Sequence, residues 1–323
     1  VLFRSVVAYR TAYLRCHYPV EFMAALLTSV LGNTNKISEY SYACKKLGIK
    51  ILPPDINYGE GAFSVDHGNI RYGLTAIKSL GRPVIEAIIR ERNLNGPYRD
   101  FKDLVERLSS KEINKRTVEN LIKSGALDCF HVTRKQQMIV YASVIDSIQK
   151  ERKNEIAGQM SLMDLLGEED QQSFQISYPD VGEYEKEQKL AMEKEVLGIY
   201  VSGHPLEDDI ERLERSVTAH TSDFVIDEET GKTKIHDRES CIIGGLISEM
   251  SVKLTKKNQN MAFITLEDLR GTVEVVVFPR QYATYQSLLR EDAKVFIKGT
   301  TQISEEESKV ICNQIISFED SRQ

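Results

Sequence analysis

Met261-Ala262-Phe263-Ile264-Thr265-Leu266-Glu267-Asp268, then Gly271, then Val273-Glu274-Val275-Val276-Val277-Phe278, is the stretch on which the fold of this chain turns. Its hydrophobic pattern has a period of two, so it reads as two strands joined through Gly271. Working outward, Ile242 to Ile247 supplies a strand before them. Tyr282 to Leu289 suits a helix after them, and Lys294 to Gly299 and Val310 to Asn313 give two more strands. Three strands, a helix and two strands is the order of a five-stranded OB-fold barrel, expected over 241–320. Lys253, Lys256 and Lys257, with Asn258 and Asn260, are expected on its first long loop, where such barrels touch single-stranded DNA, and Phe263 offers a ring for base stacking. The alternative is a barrel used for packing or protein contact, since the domain nets about zero charge and the chain has no Trp.

The half before the barrel has helical periodicity. Residues 6 to 50 read as helices in which Tyr9, Tyr13, Leu14 and His17 share a face expected to be core, followed by Phe22, Ala25, Leu26 and Val30. Ile51-Leu52-Pro53-Pro54-Asp55 is an extended connector, because each proline removes a donor and restricts the residue before it. Ala62 to Val65 and Ile70 to Tyr72 form a small hairpin turned at Asp66 to Asn69. Leu74 to Ile85 then reads as helix, tight Gly turn and helix, with Lys78, Ser79, Leu80, Gly81 and Arg82 at the turn and Pro83 in the opening of the second helix. A second such unit lies at Thr117 to Phe130, turning at Lys123, Ser124 and Gly125. Repeated units of this kind resemble paired helix-hairpin-helix units, which hold the DNA backbone without reading its sequence. Amides exposed at a Gly turn and a helix N-terminus face an anion, and Lys78 and Arg82 add charge. The alternative is a pair of helical turns that merely pack.

Net charge is −6, but it is unevenly spread. Residues 70 to 135 carry 14 Lys/Arg against 8 Asp/Glu, a local +6, and residues 155 to 240 carry 8 against 22, a local −14. A polyanion is drawn to the first region and repelled by the second. In the acidic middle, Gln159-Met160-Ser161-Leu162-Met163-Asp164-Leu165-Leu166 is an apolar island suited to another protein's pocket, one turn of helix or an extended peptide presenting an amide with several apolar anchors. Residues 151–182 are expected to be a linker carrying this peptide, and 183–240 a helical connector. Within the connector, Ser202-Gly203-His204 invites a hydrolase reading. There is no G-x-S-x-G and no strand leading in, so an ordered turn and helix cap is the better reading.

The five cysteines are scattered without a C-x-x-C pair, which argues for a reducing cytoplasm and against disulfides or structural zinc. No apolar run approaches the roughly 18 residues of a membrane span. The chain starts at Val1 in the middle of an apparent helix, so a longer parent is expected.

Four blocks in order, Ala8–Leu14 with His17–Leu27, Ile70–Lys78, Glu193–Leu206 and Met261–Phe278, make the chain resemble the alpha subunits of bacterial DNA polymerase III, of the DnaE type. The resemblance implies an α+β multidomain protein. Residues 1–48 would be the tail of the polymerase fingers, 49–150 the tandem helix-hairpin-helix domain and 241–320 the OB domain. It implies DNA, a sliding clamp and other replisome subunits as partners, and no membrane. It also implies that Gln159, Ser161, Leu162, Met163, Leu165 and Leu166 form a clamp-binding peptide, with Met163 where an aromatic is usual. The parent's activity would be DNA-directed DNA polymerisation using Mg2+ held by palm carboxylates upstream of this sequence. No catalytic residue, metal ligand or cofactor is therefore expected here, and the chain alone should be inactive. The other reading is the DNA-binding adaptor of a repair helicase or ligase, which also joins hairpins to OB modules.

Overall fold

The computed structural model describes residues 2–108, 113–156, 176–226, 233–304 and 308–320. They fall into two units, Val1–Ser202 and Gly203–Gln323, so the stretch 183–240 is shared between them.

The first unit begins with α1 (Leu2–His17), α2 (Pro19–Ser29) and α3 (Thr34–Lys46). Pro opens α2, and the Asn33 side chain accepts from the Lys36 amide to cap α3. Met23, Ala24 and Leu27 of α2 are buried. The expected core face of α1 is not core. Tyr9, Tyr13, Leu14 and His17 are exposed, with Tyr9 at 70%, and the Tyr13 and His17 rings meet tilted by 37° with centroids 4.3 Å apart on the open surface. Helical spacing says which side chains share a face and is silent on what covers it.

Three short strands follow, β1 (Ile51–Leu52), β2 (Ser64–Asp66) and β3 (Asn69–Arg71), in the order β1-β3-β2. The hairpin turns through His67 and Gly68, both at positive φ (49° and 77°), the backbone a two-residue hairpin loop requires. Part of the expected connector is thus a strand, β1, paired parallel to β3. Then come α4 (Arg82–Asn95), α5 (Phe101–Arg107), α6 (Lys115–Lys123), α7 (Arg134–Ile156) and α8 (Lys186–Leu197). Asp100 caps α5 and Asn114 caps α6 through their carboxylate and amide oxygens. Ile88, Leu104, Leu121 and Leu127 are fully enclosed in one core with Leu27 and Tyr72. Each such aliphatic side chain contributes about 1.5–3 kcal/mol by burial.

The second unit is a closed barrel of β4 (Ser240–Leu254), β5 (Asn260–Glu267), β6 (Thr272–Val277), β7 (Lys294–Ile303) and β8 (Ser308–Ser317), in the order β4-β5-β6-β8-β7. This is the OB-fold arrangement expected from the sequence. Fifteen residues long, β4 pairs with β7 over its first half and with β5 over its second, with an irregularity between Ile247 and Glu249. Close packing there needs glycine, because a Cβ on Gly245 would strike the Glu267 carbonyl. Parallel pairing of β6 with β8 closes the barrel. The helix α10 (Pro279–Tyr285) starts earlier and ends sooner than the spacing of Tyr282 to Leu289 suggests, because Pro279 favours a helix start. Outside the barrel, α9 (Ile210–Ser216) lays Leu213 against Gly244 and Phe296.

Candidate nucleic-acid interface

The first hairpin is built differently from a helix pair joined at a glycine. Leu74–Ala76 is one 3-10 turn, and the chain then leaves helical geometry. The Lys78 amide donates to the Val196 carbonyl at the end of α8 (2.8 Å) instead of to a residue four back. The left-handed position is Ser79 (φ 64°), while Gly81 is extended (φ −75°, ψ 146°) as the residue that precedes α4. Leu80 is buried and anchors the turn; Lys78, Ser79, Gly81 and Arg82 are exposed around it. Pro83 has no N–H and the Val84 and Ile85 amides donate to the Gly81 carbonyl (3.1 and 3.3 Å), so what the start of α4 offers solvent is chiefly the Lys78 and Arg82 cations with the positive end of the helix dipole.

Helix α6 closes on this turn. Asn120 donates to the Lys78 carbonyl (2.9 Å), and the exposed Arg116 donates to Ser79 Oγ (3.2 Å). Among the described residues Lys78, Arg82 and Arg116 make no ion pair, although Arg71, Arg92, Arg99, Arg107 and Arg134 of the same unit each meet a carboxylate.

The second turn is filled from within. Lys123 Nζ lies 2.9 Å from Glu119 and 3.0 Å from Glu195; burial pulls its ammonium down, and the two carboxylates outweigh that and hold its pKa above the usual value. Ser124 is fully buried, its hydroxyl donating to the Leu121 carbonyl. Gly125 takes the left-handed conformation (φ 81°), and the space over its Cα is occupied by the Arg134 guanidinium. The amides of Ser124 and Gly125 donate to Asn120 and Ile122 carbonyls. Helix breaking at Gly125 was visible in sequence; that an arginine from α7 occupies the turn was not.

On the barrel, Lys253 lies on strand β4 and not on a loop, since the β4–β5 connection is confined to residues 255–259. Its Nζ sits 4.8 Å from the centre of the Phe263 ring, a cation–π contact across the two strands. Lys256 and Lys257 are exposed at the turn, where Asn258 adopts φ 56°. Residues 159–166, the expected clamp peptide, lie outside the described residues. Among the described residues no three His, Cys, Asp or Glu converge as a metal cluster, and no helix is long and apolar enough to cross a membrane.

Comparison with known proteins agrees with both halves. A family model described as a helix-hairpin-helix motif matches residues 48–137, and one described as an OB-fold nucleic acid binding domain matches residues 242–317. DNA polymerase III subunit alpha of Borreliella burgdorferi is 35% identical over 319 residues, 98% of this chain. The subunits so named in Escherichia coli K12 and Bacillus subtilis 168 are 34% and 36% identical over 99% and 98% of it. This chain is a homologue of the DNA polymerase III alpha subunits. It spans 27% of the length of each of these three relatives. A mitochondrial single-stranded DNA binding protein of S. cerevisiae matches 26% of the chain and 96% of its own at 14% identity and a TM-score of 0.22, a likeness too slight to bear on function.

In this polymerase III alpha homologue the Glu193–Leu206 block has a structural use. Glu193 is fully buried; one carboxylate oxygen takes the Arg134 guanidinium (3.0 Å) and the other accepts the Val201 and Ser202 amides (3.1 and 2.9 Å). Tyr72 donates its hydroxyl to the Leu197 carbonyl (3.0 Å). His204 Nδ1 accepts the Leu206 amide, so the residues that suggested a hydrolase order a turn. Sequence reading missed Arg116, Asn120 and Arg134. Only the caps at Asn114 and Gly125 marked the ends of α6, and nothing in the spacing placed Arg116 beside Ser79, 37 positions away.

Proposed function

We propose that this chain serves a replicative DNA polymerase III alpha subunit by holding template-primer DNA and a sliding clamp during processive synthesis. The observation that carries the reading is the exposed Lys78–Arg82 turn, whose cations lack carboxylate partners among the described residues inside a region of local charge +6. An unpaired cation cluster is disfavoured by self-repulsion and gains when phosphates release their counterions to it. Single-stranded DNA is assigned to the outer barrel surface at Lys253, Lys256, Lys257 and Phe263, where a cation and a ring are already together. Lys123 joins the duplex contact only by exchanging Glu119 or Glu195 for phosphate, which makes it the weaker contributor.

The clamp is assigned to Gln159, Ser161, Leu162, Met163, Leu165 and Leu166 on the strength of their residue types. Tethering to a clamp raises the effective concentration of DNA at the polymerase. Polymerisation itself, with its Mg2+ and carboxylates, is assigned to a palm outside this chain, so primer extension by the chain alone should be nil.

Anisotropy of a labelled 20-base-pair duplex over a salt series tests the DNA assignment. Binding should weaken with salt, and Lys78→Gln and Arg82→Gln should each flatten the slope by about one unit. No binding at low salt, or no slope, sinks it. Clamp pull-down with Gln159→Ala/Leu162→Ala tests the peptide: unchanged capture removes its role, and Met163→Phe should tighten capture by up to about tenfold, since a packed aromatic adds about 0.5–1.5 kcal/mol.

A further inference from the structure

We infer that Arg116, at the start of α6, is a phosphate-contacting residue, so that the two hairpin units share one composite backbone site instead of offering one site each. The inference rests on the DNA-holding reading above and assigns the second unit a different part in it.

At the second turn the groups that could meet an anion are already engaged, Lys123 by Glu119 and Glu195. Ser124 is buried, the Ser124 and Gly125 amides are bonded to carbonyls, and the Arg134 guanidinium covers Gly125. At the other end of α6 the position is reversed. Arg116 is exposed, carries no ion pair among the described residues, and reaches across to the first turn, where its guanidinium donates to Ser79 Oγ. Asn120, one turn further along α6, holds the Lys78 carbonyl and fixes the register between helix and turn. Arg116 of α6 therefore brings a third exposed cation to the turn that already carries Lys78 and Arg82. The neighbouring Lys115 is already bound to Asp146 (2.7 Å), which singles out Arg116.

A guanidinium presents several donors in a fixed fork, and its single contact to a neutral hydroxyl leaves the remaining N–H groups for phosphate oxygens. The bond to Ser79 positions the side chain before any ligand arrives, so little rotamer entropy remains to be lost on binding. The ligand class is the phosphodiester backbone of duplex DNA, contacted without base readout.

The test is duplex anisotropy on the full chain at several salt concentrations. Arg116→Gln should weaken binding about tenfold, matching about 1.5 kcal/mol for a charged hydrogen bond, and lower the salt slope by about one. Arg116→Lys should keep the slope. Arg215→Gln makes the same charge change on an exposed arginine of the other unit. It should leave the slope unchanged; an equal effect from Arg215→Gln and Arg116→Gln overturns the inference. Phenylglyoxal modification of the unaltered protein, mapped by mass spectrometry, needs no variant: duplex should protect Arg116, and equal modification with and without duplex also overturns it. If the unaltered chain fails to bind duplex, the parent reading falls with it. If Lys78→Gln lowers the slope while Arg116→Gln does not, only the inference falls.

Discussion

Arg134 and Glu193, 59 positions apart in sequence, meet at 3.0 Å with side chains 1% and 0% exposed. The pair joins the start of α7 to α8, and its remaining donors and acceptors are used on Asp128, the Lys123 carbonyl and the Val201 and Ser202 amides. Removing one partner leaves the other charge buried and unmatched. Arg134→Met should therefore cost about 3–5 kcal/mol in denaturant unfolding. Arg134→Met/Glu193→Gln should recover part of that loss, and a strictly additive double variant would falsify the coupling.

Gly125 and Gly68 have nearly the same left-handed backbone, φ 81° and 77°, in opposite surroundings. A Cβ at Gly68 meets open space, whereas one at Gly125 collides with the Arg134 guanidinium. Gly68→Ala should cost about 1–2 kcal/mol from backbone strain alone. Gly125→Ala should cost about 2 kcal/mol more through the displaced hydrogen bonds of Arg134. Equal losses in paired urea titrations contradict the packing argument.

Acid should weaken the first unit through carboxyls held below their usual pKa, Asp66, Glu91, Asp103 and Glu183, of which the last two have burial as their largest single influence. Burial would raise both, but Arg99 and Arg107 hydrogen bonds hold Asp103 below the ordinary carboxylate range, and amides of Tyr184, Arg134 and Lys135 do the same for Glu183. A carboxyl depressed in the folded state stabilises the fold above its unfolded pKa and loses that contribution as pH falls through the folded value. Thermal midpoints should be level from pH 7 to about 5 and fall below about pH 4, the unfolded range. Glu183→Gln should lower the midpoint at pH 7 and make the acid limb shallower; an unaltered limb rejects the assignment.

On the barrel, Phe263→Ala should weaken binding of a dT oligomer by about 1–3 kcal/mol, the range for one stacked base. Lys253→Gln should reduce the salt slope by about 0.7, the single-strand value for one phosphate. Equal affinity of Phe263→Ala and the unaltered chain for the oligomer assigns this surface to a protein instead.

The barrel was legible because its strands alternate by residue and its one helix sits between the third and fourth strands, so local pattern and global order agree. Gly68 and Gly125 announced their turns because a left-handed backbone favours glycine. Ser79 defeated the same rule. It holds φ 64° two positions before a glycine that does not need the freedom, because Val196 and Asn120 fix the Lys78 peptide from outside. Arg116 was illegible for a related reason: an exposed arginine at a helix start carries no sequence signal of the turn it will reach. The tyrosines of α1 show the limit of periodicity, since Tyr9 and Tyr13 keep helical spacing while remaining open to solvent.

Closure of the barrel through β6 and β8 restricts how any partner can be recognised. A sheet with free edges can lend its backbone to a visiting strand, and affinity then comes largely from main-chain hydrogen bonds. In the ring β4-β5-β6-β8-β7 every strand has a neighbour on each side over part of its length, which leaves only short stretches, such as the second half of β4, to lend. Along the stretches paired on both sides, a ligand is selected by outward side chains instead of by backbone, so single substitutions there can redirect choice of ligand while the backbone scaffold stays as it is.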